Sequence, residues 1–183
     1  SPHARALTVF AVAFVLYGRH LTDGLLSDDF LYAARLEQGW MELLRKVTVD
    51  SDPRMIRPLP MVGFVLGSLP GGVLWQHALS IALHGFCASS VGRLAERSRE
   101  GTGLPAALLF VTFPLFAEPV LWLSSAFDLW AAAFALAALE IGLRDDPGTD
   151  GRRRRLWATL LFVGSLLSKE STLLLPALAL LLP

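Results

Sequence analysis

The stretch LWQHALSIALHGFCASSVGRL, residues 74–94, decides the fold class of this chain. A transmembrane helix needs about 20 predominantly apolar residues. This stretch has that length, and its only formally charged residue is Arg93, near its end. Arg97 and Arg99 follow soon after it. The pattern predicts a helix that spans a bilayer and ends in a basic segment.

The composition of the whole chain points to the same class. Hydrophobic residues make up 54% of the 183 residues and charged residues 17%. The 16 Lys and Arg residues balance the 16 Asp and Glu residues, so no net field favours nucleic acid as a partner. Cys87 is the only cysteine, which excludes an internal disulfide and a cysteine-based zinc cluster. The composition therefore predicts an integral membrane protein whose surroundings are a lipid bilayer.

Several further apolar runs approach spanning length. They cover residues 7–18 with a more polar extension to 26, 104–116, a run that starts at 120 or 127 and ends at 143, 156–167 and 172–182. Together they predict an all-α fold, a polytopic bundle of about five or six transmembrane helices. A cleavable signal peptide is the alternative interpretation of the first run. Because the chain opens on Ser1 and stops within an apolar run, we expect residues 1–183 to be one membrane domain, the amino-terminal part of a larger one.

Residues 28–72 differ from the rest because they are charged yet still periodic. The apolar residues between 28 and 57 fall largely on one helical stripe, which is typical of a helix lying in the membrane interface. A short apolar piece from Arg57 to Leu69 is too brief to span and is closed by Pro70. We therefore predict that residues 28–72 form an external loop containing amphipathic interfacial helices.

Short arginine-rich loops usually stay cytoplasmic, and two segments of this chain qualify. One contains Arg93, Arg97 and Arg99, and the other is the hydrophilic stretch 144–155, which includes Arg152 to Arg155. We expect the chain to lie in this orientation in a bacterial inner (plasma) membrane. The ends of the helices far from these arginines then face the extracytoplasmic side.

A count of helical rise from the cytoplasmic ends brings several polar residues to one depth. At about 1.5 Å per residue, His77 lies about 24 Å from Arg93 and Glu118 about 21 Å from Leu104. Asp128 lies about 24 Å from one end of the second basic segment, and Lys169 lies about 21 Å from its other end. A shared layer near the external surface is therefore predicted for one set of residues: Asp28, Asp29, Arg57, His77, Glu118, Asp128, Lys169 and Glu170. Each of them could alternatively be a helix end that simply meets water.

The chemistry of this layer suits a reaction at a phosphate-linked substrate. Several carboxylates in this layer could hold a divalent cation such as Mg²⁺ or Mn²⁺ through their oxygens. Arginine, lysine and histidine side chains can receive phosphate oxygens, and a carboxylate free of metal can deprotonate a hydroxyl. The sequence contains no nucleotide-binding glycine loop, which disfavours a soluble nucleotide-sugar donor.

An ordered series of motifs carries a resemblance to a known family. The series is Asp28-Asp29-Phe30, Arg57-Pro58-Leu59, His77 with His84, Pro114 with Glu118, Trp122-x-Ser124 with Asp128, and Ser168-Lys169-Glu170-Ser171. It resembles the C-type integral membrane glycosyltransferases, and most closely the O-mannosyltransferase-like branch that is often fused to tetratricopeptide repeats. The likeness covers nearly the whole chain in order.

The resemblance implies a hexosyl transfer from a polyprenyl-phosphate sugar, with mannose as one candidate, to a protein or glycan hydroxyl. It implies that Asp28 is the catalytic base, assisted by Asp29, and that Glu118 fills the family's second external acidic position. A divalent metal would lie on these three acidic residues. Substrate contacts are then expected from Arg57, His77, His84, Asp128, Lys169 and Glu170.

Two other functions remain open. A transporter could use the same charges as a path through the membrane, with helices broken near Pro119 and at residues 168–170. A non-catalytic membrane scaffold is the other, since Phe113, Phe116 and Ala126 stand where the family commonly has histidine or arginine.

Overall fold

The structure is a computed structural model that describes residues 1–48, 57–67, 69–143 and 151–174. Throughout these ranges the regular structure is helical, which confirms the all-α prediction. The α-helices are α1 (Pro2–Tyr17), α2 (Asp29–Leu36), α3 (Trp40–Thr48), α4 (Met61–Leu66), α5 (Val73–Ser98), α6 (Gly103–Thr112), α7 (Ala117–Leu121), α8 (Phe127–Gly142) and α9 (Gly151–Leu166). Short 3-10 helices cover Gly18–His20, Pro114–Phe116 and Glu170–Leu174.

Helix α5 is the centre of the bundle and packs against α1, α6 and α8, while α9 packs on the far side of α8. Contacts at the two ends of α1 show that it runs antiparallel to α5: Arg5 meets Glu96, and the Tyr17 ring meets His84. The main apolar core lies among α1, α5, α6 and the start of α8. Its buried members include Val9, Ala13, Ile81, Ala88, Val111 and Leu129.

Small residues allow α5 to approach its neighbours closely. A Cβ at Gly92 would lie 2.7 Å from the main-chain oxygen of Gly103 and 2.9 Å from Ala107 Cβ. At Gly85 a Cβ would lie 2.8 Å from the Phe10 ring. Close backbone approach at small residues is the packing mode that membrane helices favour, because lipid offers no hydrophobic drive to bring them together.

Within the described chain, α5 is the one helix long and apolar enough to cross a membrane by itself. Helix α6 and the segment Pro114–Leu121 pass the same criteria together, with a bend of 56° between them. Helices α1, α8 and α9 have 16 residues each, about 24 Å of helix, and so fall short of a full hydrocarbon core of about 30 Å. The count of five or six spans therefore stays a prediction.

The predicted interfacial segment contains three short helices, α2, α3 and α4. Gly39, with a φ of 113°, separates α2 from α3 where the sequence pattern suggests one continuous stripe. A second apolar cluster of Leu43, Met61, Phe64, Leu123 and Phe127 packs this segment against the start of α8. Residues 49–56 and 68 of the predicted loop 28–72 lie outside the described residues.

The start of α9 differs from the sequence prediction, and the final apolar run extends beyond the described residues. Arg152 to Arg155 belong to the first turns of α9 rather than to a hydrophilic loop. Arginine is a good helix former, so a polar run can start a helix that the hydropathy pattern places later. The final apolar run begins as the 3-10 helix Glu170–Leu174, and its remainder, 175–183, lies outside the described residues.

Candidate functional site

The acidic pair divides into one exposed and one buried carboxylate. Asp28 is exposed at the N-cap position of α2, where its side chain makes no capping hydrogen bond. Asp29 is 1% exposed, and its Oδ2 accepts a hydrogen bond of 3.0 Å from the main-chain nitrogen of Leu26. Ser27 lies between Leu26 and Asp28 and has a φ of 47°, which is uncommon for a residue other than glycine. We call residues 26–29 the acidic turn; its conformation presents Asp28 outward and Asp29 inward.

The turn between α7 and α8 holds the acidic turn from the other side. Ser124 donates to Asp29 Oδ1 from its main-chain nitrogen at 2.7 Å and also from its hydroxyl. Trp122 Nε1 donates to the main-chain oxygen of Leu26 at 3.2 Å. The Trp122-x-Ser124 motif therefore holds, through hydrogen bonds, a turn that lies almost one hundred residues earlier in the chain. Neither residue was assigned a role from sequence, although both stood in the motif series.

Asp128 and Lys169 form an ion pair between the first turn of α8 and the end of α9. Lys169 Nζ lies 2.6 Å from Asp128 Oδ1 and 2.7 Å from Oδ2. The side chains are 27% and 45% exposed for Lys169 and Asp128, so water reaches the pair. The depth count that placed both residues in one layer agrees with this contact.

Arg57 and Glu170 form a second, bidentate pair beside the first. Arg57 Nη2 donates to Glu170 Oε1 at 2.6 Å and Nε donates to Oε2 at 3.1 Å. The Arg57 guanidinium also lies 6.0 Å from the centre of the Phe127 ring. Its hydrogen bonds hold the pKa of the Glu170 carboxyl below the ordinary value of 4.5. Arg57 is 18% exposed and Glu170 57%, so the carboxylate is the more accessible partner.

Tyr32 lies beside the acidic turn and near Arg57. Its ring packs against Phe64, with centroids 4.9 Å apart, and against Phe127 at 5.8 Å. Burial raises the pKa of the Tyr32 phenol; the Asp28 carboxylate adds to this shift and Arg57 opposes it. The phenol is thus within electrostatic reach of both groups. Sequence reasoning missed Tyr32, although its place four residues after Asp28 puts both on one face of α2.

We define the external cluster as Asp28, Tyr32, Arg57, Asp128, Lys169 and Glu170. The structure brings these side chains to one end of the bundle, where α8 begins and α9 ends. The hydrogen-bonded carboxylate of Asp29 lies at the same end. Six of the nine predicted site residues therefore belong to the external cluster or to the acidic turn.

The other three predicted site residues make no described contact with the external cluster. His84 is fully buried among Tyr17, Phe110 and Phe116, and its Nε2 donates to the Val111 carbonyl oxygen at 3.1 Å. His77 is 1% exposed, and within the described chain neither ring nitrogen has a hydrogen-bond partner. Glu118 is exposed in the first turn of α7. Their predicted roles in substrate binding and catalysis stay predictions.

The acidic residues predicted to hold a divalent metal are not gathered into one group among the described residues. Both oxygens of Asp29 already accept hydrogen bonds from Leu26 and Ser124. Among the described residues, no group of three or more His, Cys, Asp or Glu side chains is arranged to hold a metal ion. Metal binding by Asp28, Asp29 and Glu118 stays a prediction, and no step below is routed through it.

Comparison with known proteins gives no further guide to function. No protein-family model, no curated protein and no solved structure matches this chain.

Proposed function

We propose that this protein is a polytopic membrane glycosyltransferase. It would transfer a hexosyl group, with mannose as a candidate, from a polyprenyl-phosphate donor to a protein or glycan hydroxyl outside the cytoplasm. The observation that carries the proposal is that Asp28 is exposed on the acidic turn. It lies at the same end of the bundle as Arg57 and Lys169. A general base and two phosphate-binding cations are the groups that such a transfer requires.

Exposed apolar side chains on the outer helices support a membrane setting. Leu7 and Val15 of α1 are 72% and 79% exposed, Leu109 of α6 is 68% exposed and Leu160 of α9 is 49% exposed. Isolated exposed apolar residues are ordinary on soluble proteins, but apolar faces on several neighbouring helices suit contact with lipid. With α5 as a candidate span, these faces favour a bundle embedded in a bilayer.

The proposed transfer is a substitution at the anomeric carbon. The acceptor hydroxyl oxygen forms a bond to that carbon while the bond from the carbon to the phosphate oxygen breaks. The hydroxyl proton passes to a carboxylate oxygen of Asp28, and the polyprenyl phosphate leaves with the electron pair of the broken bond. A base needs to be reachable by the acceptor, and Asp28 is exposed whereas Asp29 is not.

Arg57 and Lys169 would receive the phosphate by exchanging partners. Each now faces a carboxylate that is substantially exposed, Glu170 and Asp128 respectively. Exposed ion pairs are worth little, so a phosphate group can compete for the cations at low cost. In this proposal Glu170 and Asp128 hold the cations in position while no donor is bound, and Asp29 positions the acidic turn instead of reacting.

A transfer assay tests the proposal directly. The protein, with any natural flanking sequence retained, is reconstituted in liposomes with polyprenyl-phosphate mannose and a hydroxyl-bearing peptide or glycan acceptor. The proposal expects labelled sugar to appear on the acceptor, and parallel reactions with Mg²⁺, with Mn²⁺ and with chelator measure the predicted metal dependence. If no sugar is transferred from any of a series of lipid-linked hexoses, the result would contradict the proposal and support a non-catalytic membrane scaffold.

One feature favours a transporter as the second candidate. The chain bends by 56° between α6 and the segment Pro114–Leu121, and broken helices often form transport sites. Ion or substrate flux into liposomes, lost in Glu118→Gln and Lys169→Met, would favour the transporter. Sugar transfer without any such flux would favour the enzyme.

A further inference from the structure

A pocket lies at the end of the bundle opposite to the external cluster. It has a volume of about 250 Å³ and opens between the start of α1, the end of α5 and the start of α6. Its lining includes Ala6, Val9, Ser89, Arg93, Arg97 and Ala107. The proposed transfer makes no use of this end of the molecule.

The pocket joins an apolar floor to a cationic rim. Val9 and Ala107 on the floor are 1% and 3% exposed, and Gly92 and Gly103 leave room beside them. Arg5, Arg93 and Arg97 line the rim together with one acidic residue, Glu96. A cavity that is apolar at one side and cationic at the other suits a ligand that is itself divided in this way.

The carboxylates near the rim do not neutralise it. Arg5 pairs with Glu96 at 2.8 Å, and Arg93 pairs with Glu140 at 2.8 Å. Arg97 donates one hydrogen bond, to the main-chain oxygen of Glu140 at 3.3 Å, and has no carboxylate partner within the described chain. Among the described residues, three guanidinium groups thus face two carboxylates, and Arg97 is the cation that we assign to an anionic ligand.

Ser89 adds a polar residue to the pocket lining. It lines the pocket and is 7% exposed. Its hydroxyl oxygen is buried without a hydrogen-bond partner in the part of the chain that the structure describes. Serines in helices commonly bond to their own main chain when no other partner is present. A buried hydroxyl without such a bond is unfavourable unless something else satisfies it.

We infer that this pocket binds the phosphodiester headgroup of an anionic phospholipid together with the first part of an acyl chain. Arg97 receives the phosphate oxygens, and the Ser89 hydroxyl bonds to a headgroup or ester oxygen. The acyl chain follows the floor along Ala6, Val9 and Ala107. Because arginine-rich ends of membrane helices face the cytoplasm, the lipid comes from the cytoplasmic leaflet.

Lipid binding to the purified protein in detergent tests the inference. Thermal unfolding and native mass spectrometry compare phosphatidylglycerol, phosphatidylcholine and inorganic phosphate at equal phosphorus concentration. Phosphatidylglycerol is expected to raise the melting temperature and to remain bound, while phosphatidylcholine and phosphate do neither. Equal effects of the two lipids would overturn the inference, and an equal effect of free phosphate would overturn the lipid as ligand.

Matched variants separate the pocket from general attraction to charge. Arg97→Gln is expected to weaken phosphatidylglycerol binding about tenfold, since charge-assisted hydrogen bonds are lost. Ser89→Ala should weaken it to a smaller extent. Arg99→Gln removes one positive charge from the same segment but outside the pocket, and should leave binding unchanged. Equal losses in folded Arg97→Gln and Arg99→Gln would overturn the inference.

Discussion

Ser124 donates two hydrogen bonds to one carboxylate oxygen of Asp29, one from its main chain and one from its hydroxyl. The two residues are far apart in sequence, and Asp29 is almost fully buried. This contact fixes the acidic turn against the start of α8. It explains why two adjacent aspartates can have different tasks, since Asp29 holds the turn that presents Asp28.

The first prediction compares the stability of two neighbouring variants. Asp29→Asn should lower the free energy of unfolding by about 1.5–3 kcal/mol, because it removes the buried charge and replaces one of the two acceptor oxygens with an NH2 donor. Asp28→Asn should cost less than about 1 kcal/mol, since it removes only an exposed charge at the start of a helix. Thermal or chemical unfolding in detergent measures both. If the Asp28 variant were the less stable of the two, the division of tasks would be wrong.

The second prediction concerns acid stability and Glu170. Arg57 keeps the pKa of Glu170 in the folded protein below its unfolded value of about 4.5. The pair therefore stabilises the fold at pH values above about 4.5, and the contribution disappears as the pH falls through the lower folded pKa. Glu170→Gln should reduce the melting temperature near neutral pH but not at the acid end of this window. A difference between variant and wild type that stays constant with pH would contradict the pairing.

The third prediction tests the close packing of α5 on α6. Gly92→Ala should cost about 1–3 kcal/mol, because the added Cβ meets the Gly103 main chain, which cannot turn away as a flexible side chain could. Gly24→Ala is the matched control, since a Cβ there meets nothing within 4 Å. Unfolding measurements that rank Gly24→Ala as the more damaging change would exclude this helix contact.

A fourth prediction addresses donor binding by Arg57. Arg57→Lys keeps the charge but loses the planar, bidentate geometry, so the KM for the lipid-linked donor should rise about tenfold while kcat changes less. Steady-state transfer kinetics measure this split. Arg99→Lys, at the opposite end of the bundle, should behave as wild type. Indistinguishable kinetics for the two variants would remove Arg57 from the donor site.

The sequence predicted the all-α class and many of the positions of polar residues along the helix axes. Apolar run lengths located α5, and counting helical rise brought Asp128 and Lys169 to the height where they form an ion pair. This succeeded because helical rise is regular and basic residues mark one end of each run.

The sequence did not predict which aspartate is buried. That choice depends on the positive φ of Ser27 and on the Ser124 main-chain nitrogen, and neither follows from local periodicity. The resemblance to a known family also grouped His84 with the site residues. In the fold, that part of α5 faces the Tyr17 and Phe110 rings, so tertiary packing determined the surroundings of His84.

The role of Asp28 is the central claim, and the initial rate of sugar transfer by Asp28→Asn tests it most directly. Wild type, Asp28→Asn and the control Glu37→Gln, an exposed acidic residue at the end of α2, are compared in liposomes at equal amounts of folded, inserted protein. Loss of a general base predicts a rate at least about a hundredfold lower for Asp28→Asn, with Glu37→Gln unchanged. Transfer by Asp28→Asn at the wild-type rate would contradict the account.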